Sequence, residues 1–402
     1  AIGYGALYTE GSRGSNVAIG YNALNKQSGS SGTAADNVAI GYAAAEDATT
    51  ATRMVIIGTN AGRDITTGGS HTMVGWRAGF TNTTGTANTF IGNYSGYTNL
   101  TGYSNTAVGG SSFYYNSTGY ESVAVGLNAG YMFGRGSHSP HSSVFVGNNS
   151  GYYATGSYNT FVGKDAGKGG TTSAPYSSGY NNTALGYQAL ISFTTAANNV
   201  AVGYQAGYSS DSNGSNVFIG YAAGYEADSA TTSAINNVYI GQSAGQFLDD
   251  GTDNVAIGYS AMASNSDGAA NAVAYSIAIG RNAMASSVSN QGTIAIGYFT
   301  GDHASADVDN AVIIGREAGR GAMTDGADGT IAIGYQALTL ATSGAGNTAI
   351  GYQAGHELAT GHSNTFLGYE AGGDFDGGES NMTAVGRNAM GDADNDSSAD
   401  CV

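Results

Sequence analysis

The chain reads as an all-β repeat solenoid, and three regularities predict this. A Gly recurs at positions 3, 20, 41, 58, 75, 92, 109, 126, 147, 163, 186, 203, 220, 241, 258, 280, 297, 315, 334, 351, 368 and 386, which makes 22 copies. Of the 21 spacings, 12 are 17 residues and the others run from 16 to 23. The residue before this Gly is Ile, Val or Leu in every copy, and the third residue after it is always small: Ala in 18 copies, Ser at 95, 112 and 150, and Thr at 300. Self-similarity at a fixed period indicates one supersecondary unit stacked many times rather than several independent globular domains.

With the Gly as position zero, position −3 is β-branched in all 21 complete copies, for example Val17, Thr89, Ile277 and Thr365. A short β-branched run ended by Gly predicts a strand of four or five residues in each repeat. Residues −3 and −1 share one face of such a strand, and −2 points to the other. Position −2 is usually Ala, but Phe90, Phe145, Phe161, Phe218, Tyr239 and Phe366 stand there too. Both faces are therefore apolar, as in a strand covered on both sides. We expect one face to fill the coil and the face carrying those six aromatic residues to be a subunit interface.

The strictly small +3 residue implies a tight corner or a narrow interior. Position −4 is Asn in 12 copies, which predicts a ladder of amides at the turn into the strand. Position +1 is Tyr in 11 copies, including Tyr187, Tyr204 and Tyr221. A Tyr column covers a coil edge with its rings while its hydroxyls stay wet, and it also offers flat faces to sugars.

Composition narrows the function classes. Gly makes up 66 of 402 residues against only 2 Pro, which fits tight turns between short strands and not collagen. The net charge of −17, from 29 acidic against 12 basic residues, argues against nucleic acid or an anionic membrane as partner. The single Cys401 excludes an intrachain disulfide. No run approaches the ~18 apolar residues of a membrane-spanning helix. The repeats fill residues 1–390 as one elongated array, and 391–402 read as a linker or frayed end. The chain begins inside a repeat and stops just after one, so we expect a fragment of a longer protein.

Apart from a longer linker at 21–36, insertions fall at 131–141, 168–181, 225–236, 262–275 and 302–310, between +5 and −5 of neighbouring repeats. Loops varied on one side of a rigid scaffold are where binding is usually placed. Tyr131, Phe133, His138, His141, Tyr176 and Tyr180, together with the column residues Tyr187, Tyr204 and Tyr221, are the candidate receptor-binding residues.

The run Asn-Val-Ala-Ile-Gly-Tyr (16–21, 37–42 and 254–259), followed by the small +3 residue, resembles the head repeats of trimeric autotransporter adhesins of the YadA-like type. It is also similar to repeats in phage tail fibres, notably those of phages infecting cyanobacteria. The resemblance implies a left-handed parallel β-roll of about 22 coils of ~17 residues, packed as a side-by-side homotrimer, with a role in attachment. It implies an extracellular location, on a virion tail fibre or a cell surface, and a host-surface receptor or glycan as partner. The 17-residue coil is longer than expected for adhesin heads, and neither a membrane anchor nor an intramolecular chaperone domain is visible. The frequent Tyr-Gln-Ala-Gly variants favour the phage fibre.

Little points to chemistry. Gly241-Gln-Ser-Ala-Gly245 matches the G-x-S-x-G nucleophile elbow, but it occupies the positions of Gly203-Tyr-Gln-Ala-Gly207 in its own repeat, so the repeat explains it. His138 and His141 lack nearby carboxylates or thiols that would complete a metal site. Asp392, Asp394 and Asp396 imitate the start of a calcium loop, although the Gly such a loop requires is Ser397. The acidic turn 248–254 is the remaining candidate for a structural Ca²⁺. No catalytic residue or cofactor is expected. The alternatives to an attachment fibre are a structural spacer and, third, a monomeric ice- or ion-binding solenoid with Thr at −3 in eight copies.

Overall fold

A computed structural model of the chain describes residues 1–9, 14–28, 35–135, 139–170, 176–226, 234–248, 250–264, 273–287, 289–302, 308–321, 323–373, 375 and 377–391. It is a parallel β-solenoid in two compact units, Ala1–Asn198 and Asn199–Val402. Among the described residues the first unit carries ten strands, from β1 (Val17–Ile19) to β10 (Thr183–Leu185). The second carries eleven, from β11 (Val200–Val202) to β21 (Thr383–Val385), and one short 3-10 turn at Asp325–Ala327.

Each strand has three residues, positions −3 to −1, rather than the expected four or five. Within each unit successive strands pair parallel and in register, so that Val17, Ala18 and Ile19 face Val38, Ala39 and Ile40, and Val217, Phe218 and Ile219 face Val238, Tyr239 and Ile240. Position −4 does not extend the strand, because its side chain takes over the hydrogen bonding. Asn88 Oδ1 accepts the Asn105 N–H at 2.9 Å, Asn105 Oδ1 the Ser122 N–H at 3.2 Å, and Asn237 Oδ1 the Asn254 N–H at 3.0 Å. The amide nitrogens donate to a carbonyl 14 residues on, as Asn88 Nδ2 does to Gly102 O at 2.8 Å and Asn105 Nδ2 to Gly119 O at 2.7 Å. The expected Asn ladder exists, but each amide mostly ties a side chain to the backbone of the next coil rather than to another amide.

The central Gly has a conformation and a location that no other residue tolerates. At Gly109 φ is +133°, and a Cβ would lie 2.5 Å from the Gly126 carbonyl oxygen of the next coil. The small +3 residues, from Ala23 and Ser95 to Thr300 and Ala371, are fully buried at the corner that follows.

The strand faces are the reverse of the expectation. The middle residue of every strand is buried, and its two neighbours are half-buried or exposed. Phe90, Phe145, Phe161, Phe218, Tyr239 and Phe366 have 0% exposure within one chain, so they form the coil interior and cannot be the trimer interface. The physical reason lies four residues after the Gly. All nine large −2 residues, such as Phe161 or Met73, stand opposite a Gly at +4; a Cβ added at Gly167, Gly224 or Gly245 would run into the ring of Phe161, Phe218 or Tyr239. Conversely, the large +4 residues Leu24, Phe113, Leu190, Met262, Met284, Leu338 and Met390 all stand opposite Ala. No coil carries a bulky group at both positions; where one is present, −2 or +4 alone supplies it.

Among the residues at −2 and +4, Tyr239 is the one that carries a hydroxyl. Its Oη has no hydrogen-bond partner, since Asn254 commits Nδ2 to the Val273 carbonyl at 2.6 Å, and burial pushes the phenol well above its ordinary pKa. Tyr239→Phe is therefore expected to raise stability by about 1 kcal/mol, because it removes a buried unpaired polar group without changing the ring. An upward shift of the urea midpoint checks this; a downward shift would show that the hydroxyl is bonded.

The face turned outward is the other surprise. It consists of Val, Ile, Leu and Thr at −3 and −1 in every strand, without one charged residue. Val17 is 45% exposed and Ile19 38%. A parallel sheet normally has both faces covered, and here the chain itself covers one.

Candidate functional site

Because successive coils rise by one strand spacing, roughly 4.8 Å, side chains at equal repeat positions stack on one another. Aromatic residues at +5 in five consecutive repeats of the first unit therefore form a column. Phe80, Tyr97, Tyr114, Tyr131 and Tyr152 follow with ring centroids 5.2, 4.9, 5.1 and 4.7 Å apart and interplanar angles of 10–23°. Tyr94 sets its edge against Trp76 at 4.7 Å and Tyr97 at 5.3 Å, while Tyr115 and Tyr153 meet the column edge-on at 4.7 and 4.6 Å. Phe80 is nearly covered, the tyrosines are half-buried, and Trp76 is 44% exposed.

Three guanidinium groups border this face. Arg63 lies 4.0 Å over the Phe80 ring, Arg77 lies 4.9 Å from Trp76 and 5.3 Å from Phe80, and Arg135 lies 4.5 Å over Tyr115 and 5.3 Å from Tyr176. Partial burial pushes the Tyr131 hydroxyl up to about 12, with Tyr115, Tyr152 and Tyr114 adding to the shift. Tyr114 and Tyr152 are raised by the same causes. The phenols thus stay neutral near pH 7 and offer ring faces together with O–H donors.

No family model matches the chain, and no curated protein matches it.

Several residues singled out in the sequence meet here. Tyr131 is the fourth ring of the column, and Tyr176 lies parallel to Tyr153 at 6.3 Å, under Arg135. The insertions at 131–141 and 168–181 thus come together through Arg135. Phe133 does not belong to the site: it is fully buried between Phe113 at 5.1 Å and Phe145 at 5.3 Å, and cannot touch a receptor. His141 sits in a second column, 4.7 Å from both Tyr120 and Tyr158, continued by Tyr103 at 4.7 Å from Tyr120. Tyr180 is 50% exposed, and Lys164 lies 5.7 Å over the ring of Tyr187. Tyr204 and Tyr221 stack at 4.9 Å on the second unit. His138 lies outside the described residues.

Trp76, Tyr94, Tyr97, Tyr114 and Tyr152 were missed by the sequence reading, as were the three arginines. The signal that finds Tyr97, Tyr114 and Tyr152 is the recurrence of aromatics at +5, beside the more conspicuous Tyr at +1, where Trp76 stands; Tyr94 at +2 and the arginines follow no such recurrence.

Ser243 holds the +2 corner with φ of 55°, the same left-handed corner as Ala222 and Ser260 in the neighbouring coils. Asp253, in the acidic turn 248–254, accepts a hydrogen bond from Asn236 Nδ2 at 3.0 Å. Among the described residues no three His, Cys, Asp or Glu side chains gather as a metal site, and Asp392, Asp394 and Asp396 lie outside them. No helix among the described residues is long and apolar enough to cross a membrane.

Proposed function

We propose that this chain is a segment of an extracellular, non-enzymatic attachment fibre, a virion tail fibre or cell-surface adhesin, that assembles as a homotrimer and touches a host-surface glycan. The observation that carries the assembly is the outward sheet face. The interior is filled by the chain's own −2 and +4 side chains, so the exposed Val, Ile and Leu columns have no cover of their own. Ten three-residue strands in the first unit make roughly 480 Å² of flat apolar face, at the upper end of what monomers leave exposed. A uniform face without charges suits a copy of itself. The stacked rings of the first unit supply the contact with sugars, whose apolar C–H faces match exposed aromatic planes.

Light scattering after size exclusion tests the assembly. The expected mass is three times 40.2 kDa, and Ile40→Lys with Ile57→Lys, which place charges on the outward face, should reduce it to one times that value with the circular dichroism unchanged. A monomeric wild-type chain would overturn the trimer. One observation favours a second reading in that event. Thr72, Thr89 and Thr106 lie in register on the outward face, so a monomer that arrests ice growth would be an ice-binding solenoid.

A further inference from the structure

We infer that the glycan taken by the aromatic face of the first unit is anionic, its carboxylate or sulfate groups being held by Arg77 and Arg135; this rests on the attachment reading above. The whole chain is strongly acidic, with only 12 Lys and Arg residues against 29 Asp and Glu. Nonetheless three of the 12 border one aromatic platform. Of these, Arg63 is neutralised by Asp64, at 2.7 Å. Among the described residues neither Arg77 nor Arg135 has a carboxylate within the 4.0 Å of an ion pair. The face therefore carries positive charge where the protein as a whole repels anions.

The state of the two guanidinium groups points the same way. Arg77 packs against Trp76 and Phe80, and its Nε is buried with no hydrogen-bond partner. Arg135 is exposed; among the described residues its Nη1 meets the Met132 sulfur, at 3.3 Å, while its plane covers Tyr115. A guanidinium resting on a ring is fixed in orientation and partly stripped of water, yet its remaining N–H groups still need acceptors. Carboxylates and sulfates accept such a planar fork with two oxygens at once, which a neutral sugar hydroxyl cannot do. The two cations belong to repeats three coils apart, roughly 14 Å along the stack, with the Tyr97 and Tyr114 rings between them. That layout suits a polymer with repeated charges better than a single acidic sugar.

Trp76 is the only tryptophan and lies on the face itself, so its fluorescence reports occupancy directly. The full chain is titrated with polygalacturonate, dextran sulfate and uncharged dextran, at low and at raised salt. The expected result is a Trp76 response to one or both acidic polymers that weakens with salt, and a loss of affinity of about tenfold or more in Arg77→Gln with Arg135→Gln. Response to polygalacturonate alone assigns a carboxylated ligand, and response to dextran sulfate alone a sulfated one. Arg135→Gln by itself, at an exposed position, serves if the Arg77 variant folds poorly, and should give part of the same loss. Dextran binding as tightly as the acidic polymers, with the Gln variants unaffected, would overturn the anionic assignment and leave the attachment reading standing. If no polymer alters Trp76 and a glycan array is also silent, both fall.

Discussion

Phe161→Ala is expected to destabilise the first unit by about 3–5 kcal/mol, and a second substitution, Gly167→Leu, is expected to restore most of that loss. Phe161 is fully buried, and its ring packs against Phe193 at 5.3 Å and Phe145 at 5.7 Å. Truncation leaves a void that the neighbouring coils cannot close, because hydrogen bonds hold them at strand spacing. Gly167→Leu alone should also be harmful, by about 1–3 kcal/mol or more, since its Cβ enters the Phe161 ring. Gly167 has φ of 51°, and Leu190 adopts φ of 49° at the same position of the next repeat, opposite Ala184. Leu is therefore accommodated there once −2 is Ala. The double variant copies an arrangement the chain already uses and should lie at least about 3 kcal/mol above the sum of the singles. Urea unfolding followed by circular dichroism measures the cycle. Additive losses would refute the exchange of volume between −2 and +4. The experiment also separates an interior Phe column from an interfacial one, because an interfacial Phe would gain nothing from Leu at +4.

The same pair of positions explains what was legible in the sequence. The strands were, because all 21 end in Ile, Val or Leu before a Gly whose positive φ a side chain rarely adopts. Their inside and outside were not. Alternation shows that Val17 and Ile19 share a face and Ala18 lies opposite, but with both faces apolar it cannot say which one the coil encloses. The information lay in a correlation between residues six apart, Phe161 with Gly167 and Ala184 with Leu190, which a position-by-position reading passes over. The candidate site was half visible for a related reason. Tyr131 and Tyr176 stood out because they sit in insertions. Trp76, Tyr97 and Tyr114 lie in regular repeats, and only the rise of one coil on the next assembles them into a surface. Phe133 misled because an aromatic in an insertion looks like a contact residue, whereas it holds position +7, buried beside Phe145 as Ile65 and Phe193 are buried at +7 of their own repeats.

Acid should weaken the first unit through His71. This residue takes the −4 position that Asn occupies in 12 repeats, and Nδ1 accepts the Asn88 N–H at 3.2 Å. That bond needs a bare Nδ1, so the neutral ring with its proton on Nε2 is the form that fits. Burial lowers the His71 pKa to about 4 from the ordinary 6.5, against an opposing pull from the Gly85 carbonyl. A depressed folded-state pKa means that the unfolded chain takes up the proton first as pH falls. The stability contribution is complete above the unfolded value and is lost as pH drops from about 6.5 towards 4. Between about pH 7.5 and pH 4.5 the expected loss is roughly 2.5 kcal/mol. His71→Asn should abolish this component, because an amide accepts the Asn88 N–H without titrating. Its Nδ2 would then face the Gly85 carbonyl, 14 residues on, as Asn88 Nδ2 faces Gly102 at 2.8 Å. Carboxylates elsewhere titrate alike in both chains, so the difference between their urea midpoints at the two pH values isolates the imidazole. Equal pH dependence in the two chains would mean that His71 is solvated and that the −4 column is open to water at this coil. A smaller acid loss in H71N would instead establish that the column seals the turn at His71 as it does at Asn88.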